Sequence, residues 1–208
     1  MGRINPNEVD RYSNNSESEF FKLANDGDVA RVQFLYNSYD EQDIFSAHKV
    51  VVGTSDNGKP IERWVDCKRN YDDPIDDCPF CKAGLPVKPV MIVSMYDHDS
   101  QKVLIWERGK MFMNKMQTLF NRYPKLSDLV VEIERHGKPG DKKTTYEIFP
   151  MPDVEPVDVS DIKKPNFIGG LILDKSPEEM QEYLDTGRFP ENETEEESRP
   201  RRSRSRRG

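Results

Sequence analysis

Cysteine is scarce in this 208-residue chain; there are three, too few and odd in number for a disulfide framework. Histidine is equally sparse, at three. No apolar run is long enough to form a transmembrane helix. The N-terminus, Met1-Gly2-Arg3-Ile4-Asn5-Pro6, lacks the apolar segment of a secretory signal. These absences lead to the expectation of a soluble cytoplasmic protein with reduced thiols and no membrane contact. Missing too are a Gly-x-x-x-x-Gly-Lys phosphate loop and a nucleophile-elbow motif, and no catalytic constellation stands out. A non-enzymatic protein is expected. With 35% hydrophobic and 33% charged residues, the composition suits one compact domain of about 120–150 residues flanked by polar tails.

The net charge of −7 is unevenly spread. Residues 1–47 carry four basic and nine acidic side chains, and residues 151–199 carry five and fourteen. The middle, residues 48–150, carries seventeen basic and fifteen acidic, and residues 200–208 carry five basic and none acidic. The acid therefore sits in the flanks, leaving room for a local basic face in the middle.

Residues 1–27 read as a polar lead-in, with a brief apolar cluster at Phe20, Phe21 and Leu23 before the turn Asn25-Asp26-Gly27-Asp28. A first strand follows from Val29 to Tyr36. Further strands are expected at Lys88–Asp97 and Lys102–Arg108, joined by the turn His98-Asp99-Ser100-Gln101. Phe112, Met116, Leu119, Phe120 and Tyr123 then draw one apolar stripe on a helix that ends before Pro124. A last hairpin pairs Leu129–Arg135 with Thr144–Phe149. The order strand, long insertion, strand, strand, helix, strand, strand predicts a mainly β protein. Its core, residues 28–150, is expected to be the five-stranded barrel of an OB-fold, with residues 38–87 inserted between the first two strands. Residues 151–208 are expected to form an acidic C-terminal region, with a short helix near 176–189 and an Arg/Ser-rich end.

The insertion contains two strand-like runs, Ile44–Val52 and Ile61–Arg69, and an H-x18-C-x10-C-x2-C set made by His48, Cys67, Cys78 and Cys81. Thiolate and imidazole are the donors that close a tetrahedron around zinc, and a C-x-x-C knuckle brings two thiolates to one ion from a single turn. Residues 69–86 bury little of their own. Ordering them costs about 1–2 kcal/mol each in backbone entropy, and a structural zinc site contributes on the order of 10–16 kcal/mol against that cost. One structural Zn²⁺ is therefore expected. Cys78 and Cys81 are the firmest ligands and Cys67 the next; His48 competes for the fourth place with His98, His136 and the Asp76-Asp77 pair.

Two catalytic uses of the same cysteines fit less well. A glutaredoxin-like thiol needs basic neighbours and a helix N-terminus, whereas Asp72, Asp73, Asp76 and Asp77 crowd this knuckle and Gly84-Leu85-Pro86 interrupts any helix after it. A zinc deaminase needs a glutamate two residues after its histidine and a proline before the first cysteine of its pair; the chain reads His48-Lys49-Val50 and Asp77-Cys78.

The strand Lys102–Arg108 places Lys102, Leu104, Trp106 and Arg108 on one face by alternation, a tryptophan framed by cations of the kind that stacks bases and contacts phosphates. Tyr96, with Ser94, could extend that face. Arg63, Trp64, Lys68, Arg69 and Tyr71 interleave charge and aromatics within the insertion, where Tyr71 and Phe80 are equally suited to capping the metal. Lys138, Lys142 and Lys143 lie on the loop that closes over an OB-fold's binding strand. The Met111, Met113 and Met116 cluster reads as core.

This ligand set and strand order, together with the Cys-Pro-x-Cys knuckle and the acidic tail, resemble the zinc-containing single-stranded DNA-binding proteins of T-even and related phages over about Phe20 to Pro150. The resemblance implies metal ligation by His48, Cys67, Cys78 and Cys81. It also implies coating of unpaired DNA in phage replication, recombination and repair, self-association on DNA, and recruitment of replication and recombination proteins through the acidic region. The host-cell cytoplasm would then be its location. Two departures stand out. Residues 1–28 are acidic where the family has a basic segment, and the acidic run Glu191–Glu197 continues into Arg201–Arg207. The alternative from another class is a zinc-containing scaffold that binds other proteins of the replication machinery.

Overall fold

A computed structural model describes residues 19–141 and 143–190. The Arg/Ser end, the acidic run Glu191–Glu197 and Lys142 lie outside the described residues. The protein is mainly β. Its elements are β1 (Glu19–Phe20), β2 (Val29–Phe34), β3 (Asp43–Thr54), β4 (Pro60–Asp66), α1 (Pro79–Lys82), β5 (Val87–Asp97), β6 (Lys102–Arg108), α2 (Lys110–Arg122), β7 (Val130–His136), β8 (Thr145–Pro150), β9 (Ile172–Leu173) and α3 (Pro177–Thr186). Two compact units draw on them: Met1–Phe45 with Pro89–Phe167, and Ser46–Lys88 with Ile168–Gly208.

In the first unit β2 is central, antiparallel to both β5 and β7; β5 continues to β6 and β7 to β8. No ladder joins β6 to β8 among the described residues, so the hydrogen-bonded closure expected of a barrel is not seen and the sheet is open. Each edge of that gap is occupied. Phe21 N–H donates to Ile105 O of β6 at 2.8 Å, continuing the short parallel pairing of β1. On β8 the carbonyl of Tyr146 accepts from Lys115 Nζ of α2.

Alternation fills the core: Val32 and Phe34 from β2, Met91, Val93 and Met95 from β5, Leu104 and Trp106 from β6, and Val131 and Ile133 from β7. The stripe Met113, Met116 and Phe120 buries one face of α2 against them. Met111 departs from the expected methionine cluster and is 90% exposed. The N-terminal stretch is also not merely a polar lead-in, because Phe21 and Leu23 are buried in this core. Tyr36 is fully buried, and its hydroxyl is satisfied by donation to Asp43 or Ile92 O and by acceptance from Ser94 N–H. Burial pushes its pKa up, so the ring stays neutral.

Residues 151–190 are not a detached acidic tail. Residues 151–167 belong to the first unit, where Met151 N–H donates to Val130 O and the buried amide of Gln33 exchanges hydrogen bonds with both backbone groups of Val157. Residues 168–190 belong to the second unit. There β3 pairs antiparallel with β4 and β9 runs parallel beside β4. The helix expected near 176–189 forms at Pro177–Thr186. Ser176 and Glu179 make a reciprocal capping box, proline occupies the first turn, and Gly187 ends the helix in the left-handed region at φ +76°.

Candidate metal centre

His48 projects from β3 directly opposite Val65 of β4, and Cys67 follows β4 by one residue. Cys78 caps and Cys81 sits within the single turn α1, which starts on Pro79 and ends before Gly84 in the left-handed region at φ +79°. The turn is closed by Lys82 N–H to Cys78 O, Ala83 N–H to Pro79 O and Leu85 N–H to Phe80 O. This local geometry turns the Cys78-Pro79-Phe80-Cys81 spacing into two thiols that face the hairpin.

The four donor atoms lie within 4.8 Å of one another, and all four residues are buried. His48 Nε2 is 3.5 Å from Cys78 Sγ and 3.6 Å from Cys81 Sγ, and Cys67 Sγ is 3.6 Å from Cys81 Sγ. A tetrahedral ion with metal–sulfur bonds of about 2.3 Å and metal–nitrogen bonds of about 2.0–2.1 Å sets S···N edges near 3.6 Å and S···S edges near 3.8 Å. The donor set therefore fits a single four-coordinate metal. Of the candidates for the fourth place, His48 is the residue brought to the thiols. His98 instead meets Gln33 and Tyr96, and His136 lies beside Glu134 and Glu147.

Burial and backbone dipoles set the protonation preferences of the four side chains. Burial pushes Cys67 up, and pushes Cys81 up to about 12. For Cys78 burial acts in the same direction, but the backbone N–H groups of Cys81, Lys68 and Phe80 outweigh it and hold the thiol below its usual value. Burial holds His48 below its ordinary pKa, opposed by the backbone of Pro86 and Leu85. Its Nδ1 is buried and makes no hydrogen bond of ordinary geometry. The neutral imidazole that a metal requires is thus the favoured form. All three thiols are shielded, Cys78 completely, so none is an exposed nucleophile.

Around the cluster lies a small apolar shell of Val50, Val65, Phe80 and Met180. Phe80 is fully buried with its ring edge-on to His48 at 5.5 Å, so it is the cap; Tyr71, the other candidate for that role, is 94% exposed. Helix α3 completes the shell. Tyr183 meets Phe80 at 5.6 Å and Phe189 at 4.7 Å, and its hydroxyl donates to Val51 O. The apolar face of α3 thus packs within its own unit.

The residues expected to contact nucleic acid are scattered. Trp106 is a correction. It is only 4% exposed, boxed edge-on by Phe21, Phe112 and Tyr146 at 4.7–5.0 Å, with the Arg108 guanidinium 3.9 Å above its ring. The protein's own cation occupies the face that a base would need. Tyr96 does not share that face, because register pairs Tyr96 with Val103 and Ser94 with Ile105, whereas Trp106 pairs with Val93. Ser94 is fully buried. Lys102 is exposed beside Asp97 in the ladder, at the far end of β6 from Arg108.

In the second unit Arg63 donates to Gly170 O, Lys49 lies 5.5 Å from the Trp64 ring, and Lys68 pairs with Asp174 and Asp66. Arg69 is half-buried beside the exposed Tyr71. Lys138 and Lys143 are exposed on the β7–β8 loop.

Two cations escaped the sequence reading. Arg135 falls on the inward side of β7 after Val131 and Ile133, and Lys115 reaches back to Tyr146. An arginine at an inward position of an alternating strand is the signal that could have singled out the first.

No family model, curated protein or solved structure matches this chain.

Proposed function

We propose that the protein is a non-enzymatic single-stranded DNA-binding protein built on an OB-type sheet and a structural zinc lobe. It would coat unpaired strands during phage replication, recombination and repair. The reading is carried by the buried cluster of one histidine and three cysteines, placed in the connection between β2 and β5 of the first unit's order β2, β5, β6, α2, β7, β8. Pairing of β2 with β5 and β7, of β5 with β6 and of β7 with β8 is the order an OB-fold uses, with β1 on the β6 edge and the Lys115 side chain on the β8 edge in place of the last ladder. Three thiolates and one imidazole favour zinc over hard cations, which prefer oxygen.

Surface chemistry supports the same conclusion. Lys110 and Arg122 are exposed on α2, which has no acidic residue, and Lys138 and Lys143 are exposed on the β7–β8 loop. Such cations bind phosphates without reading sequence. With Trp106 enclosed, Tyr71 next to Arg69 is the aromatic best exposed to stack a base. The acidic C-terminal region is assigned to replication and recombination partners.

The test is a titration of fluorescein-labelled dT oligonucleotide, followed by anisotropy at several salt concentrations, with elemental analysis of the purified protein. One Zn²⁺ per chain and an affinity that falls steeply as salt rises are expected. Absent or salt-independent binding overturns the reading and leaves the zinc-containing scaffold in its place.

A further inference from the structure

The gap between β6 and β8 holds an unusual set of charges. Three cations converge on Tyr146 from different directions. The Arg108 guanidinium lies 4.4 Å from the centre of its ring, Arg135 Nη1 donates to its hydroxyl at 3.2 Å, and Lys115 Nζ donates to its backbone carbonyl. Arg135 is 9% exposed and uses all five N–H groups on neutral oxygens: the carbonyls of Leu23, Gly137 and Lys138 and the hydroxyls of Tyr146 and Thr144. None of the contacts just described is to a carboxylate. Asp28, which senses Arg135 through space, is held by the N–H groups of Ala24 and Asn25.

Neutral dipoles orient around a buried guanidinium without cancelling its charge, so its field reaches whatever occupies the adjacent space. Burial holds Arg108 below its ordinary pKa against the opposing pull of Tyr146 and of the Glu107 carboxylate, with Arg135's charge a smaller push in the same direction as burial. Its Nε is buried without a hydrogen-bond partner. The adjacent space is a cleft of about 380 Å³ bounded by Phe21, Lys22, Arg135, Pro139, Gly140 and Tyr146, a size that takes a small ligand. Lys22 stands exposed at its rim, and Gly140, in the left-handed region at φ +82°, has open space where a side chain would be. Cationic wall, aromatic ring and open backbone together make an anion-accepting surface, not a cation site or an apolar groove.

We infer that the cleft between the N-terminal stretch at Phe21 and the β7–β8 loop is a phosphate-accepting subsite that takes one nucleotide phosphate of a bound strand. The inference rests on the single-strand reading above and names where in the first unit a phosphate is held. Arg135 is the positioning residue that ties Leu23 on one wall to Gly137 and Lys138 on the other, and Lys22 makes the contact.

The full-length protein is titrated with dTMP, with inorganic phosphate and with a short dT oligonucleotide while backbone amide resonances are followed. Lys22→Glu is the accompanying variant, chosen because Lys22 is exposed and its reversal leaves the core intact. Shifts at residues 22–25, 138, 140 and 146 are expected with each probe. Lys22→Glu should weaken the oligonucleotide about tenfold and lower the log–log salt slope by about one. An oligonucleotide that binds while these amides stay still and the Lys22→Glu slope is unchanged overturns the subsite but leaves the single-strand reading standing. Shifts with dTMP or phosphate but no oligonucleotide binding keep the cleft as an anion site and overturn that reading. No shift with any probe overturns both.

Discussion

Removing the metal should dismantle one unit and spare the other. The apolar shell of the metal lobe has four fully or nearly fully buried side chains, Val50, Val65, Phe80 and Met180. At about 1.5–3 kcal/mol each they contribute roughly 6–12 kcal/mol together, against about 10–16 kcal/mol for a structural zinc. The larger share of what holds the knuckle and α3 to the β3–β4 hairpin is therefore the ion. At about 1.4 kcal/mol per decade, losing about 10 kcal/mol changes the opening equilibrium by roughly seven decades, so the lobe's amides should exchange as if unprotected. The core around Val32, Phe34, Val93 and Ile133 draws on none of these residues, and its protection should persist. Hydrogen exchange read by mass spectrometry, before and after dialysis against a chelator and on Cys78→Ser, measures both. If elemental analysis confirms metal loss while β3, β4 and α3 keep their protection, the assignment of the metal as the lobe's main tie is wrong.

Trp106→Ala is expected to cost about 3–5 kcal/mol in urea denaturation, since it empties the centre of an aromatic cluster. Tyr71→Ala should leave stability within about 0.5 kcal/mol and weaken oligonucleotide binding by about 1–3 kcal/mol. Gln33→Leu strands the backbone groups of Val157 and the carbonyl of Ser127; a loss of about 2–3 kcal/mol and faster protease cleavage within residues 151–160 should follow. Ser176→Ala removes the α3 capping box for about 1 kcal/mol. At Glu179 burial opposes ionisation, but Lys175 and the Ser176 backbone outweigh it and hold the carboxyl below its usual range. Its stabilisation is thus complete above about pH 4.3 and lost as pH falls through the lower folded value; exchange at α3 amides should rise there and not between pH 6 and 8.

Residue type and spacing alone singled out Cys67, Cys78 and Cys81 as candidate ligands, because a C-x-x-C knuckle reaches one ion through local geometry; among several candidates for the fourth place, the fold is what brings His48 Nε2 to the thiols. The same local logic located the long strands within three residues, the largest miss being the end of β4, and α2, whose apolar stripe and terminal proline are visible in the chain. The fate of Trp106 was not readable in this way. Alternation says that Trp106 and Arg108 share a face of β6, but which face meets the core depends on register with β5 and on Phe21, which is distant in sequence. Arg108 then folds its guanidinium over the ring, a contact that strand parity alone cannot distinguish from two groups waiting for DNA. The acidic stretch after residue 150 read as a tail because its composition is that of a tail. Tertiary structure made residues 151–167 part of the first unit, held there by Met151 N–H on Val130 O and by one buried amide, Gln33, whose hydrogen bonds span 124 residues. Short-range chemistry was written in the order of residues, whereas burial is a property of pairs far apart in that order, and only the folded chain brings those pairs together.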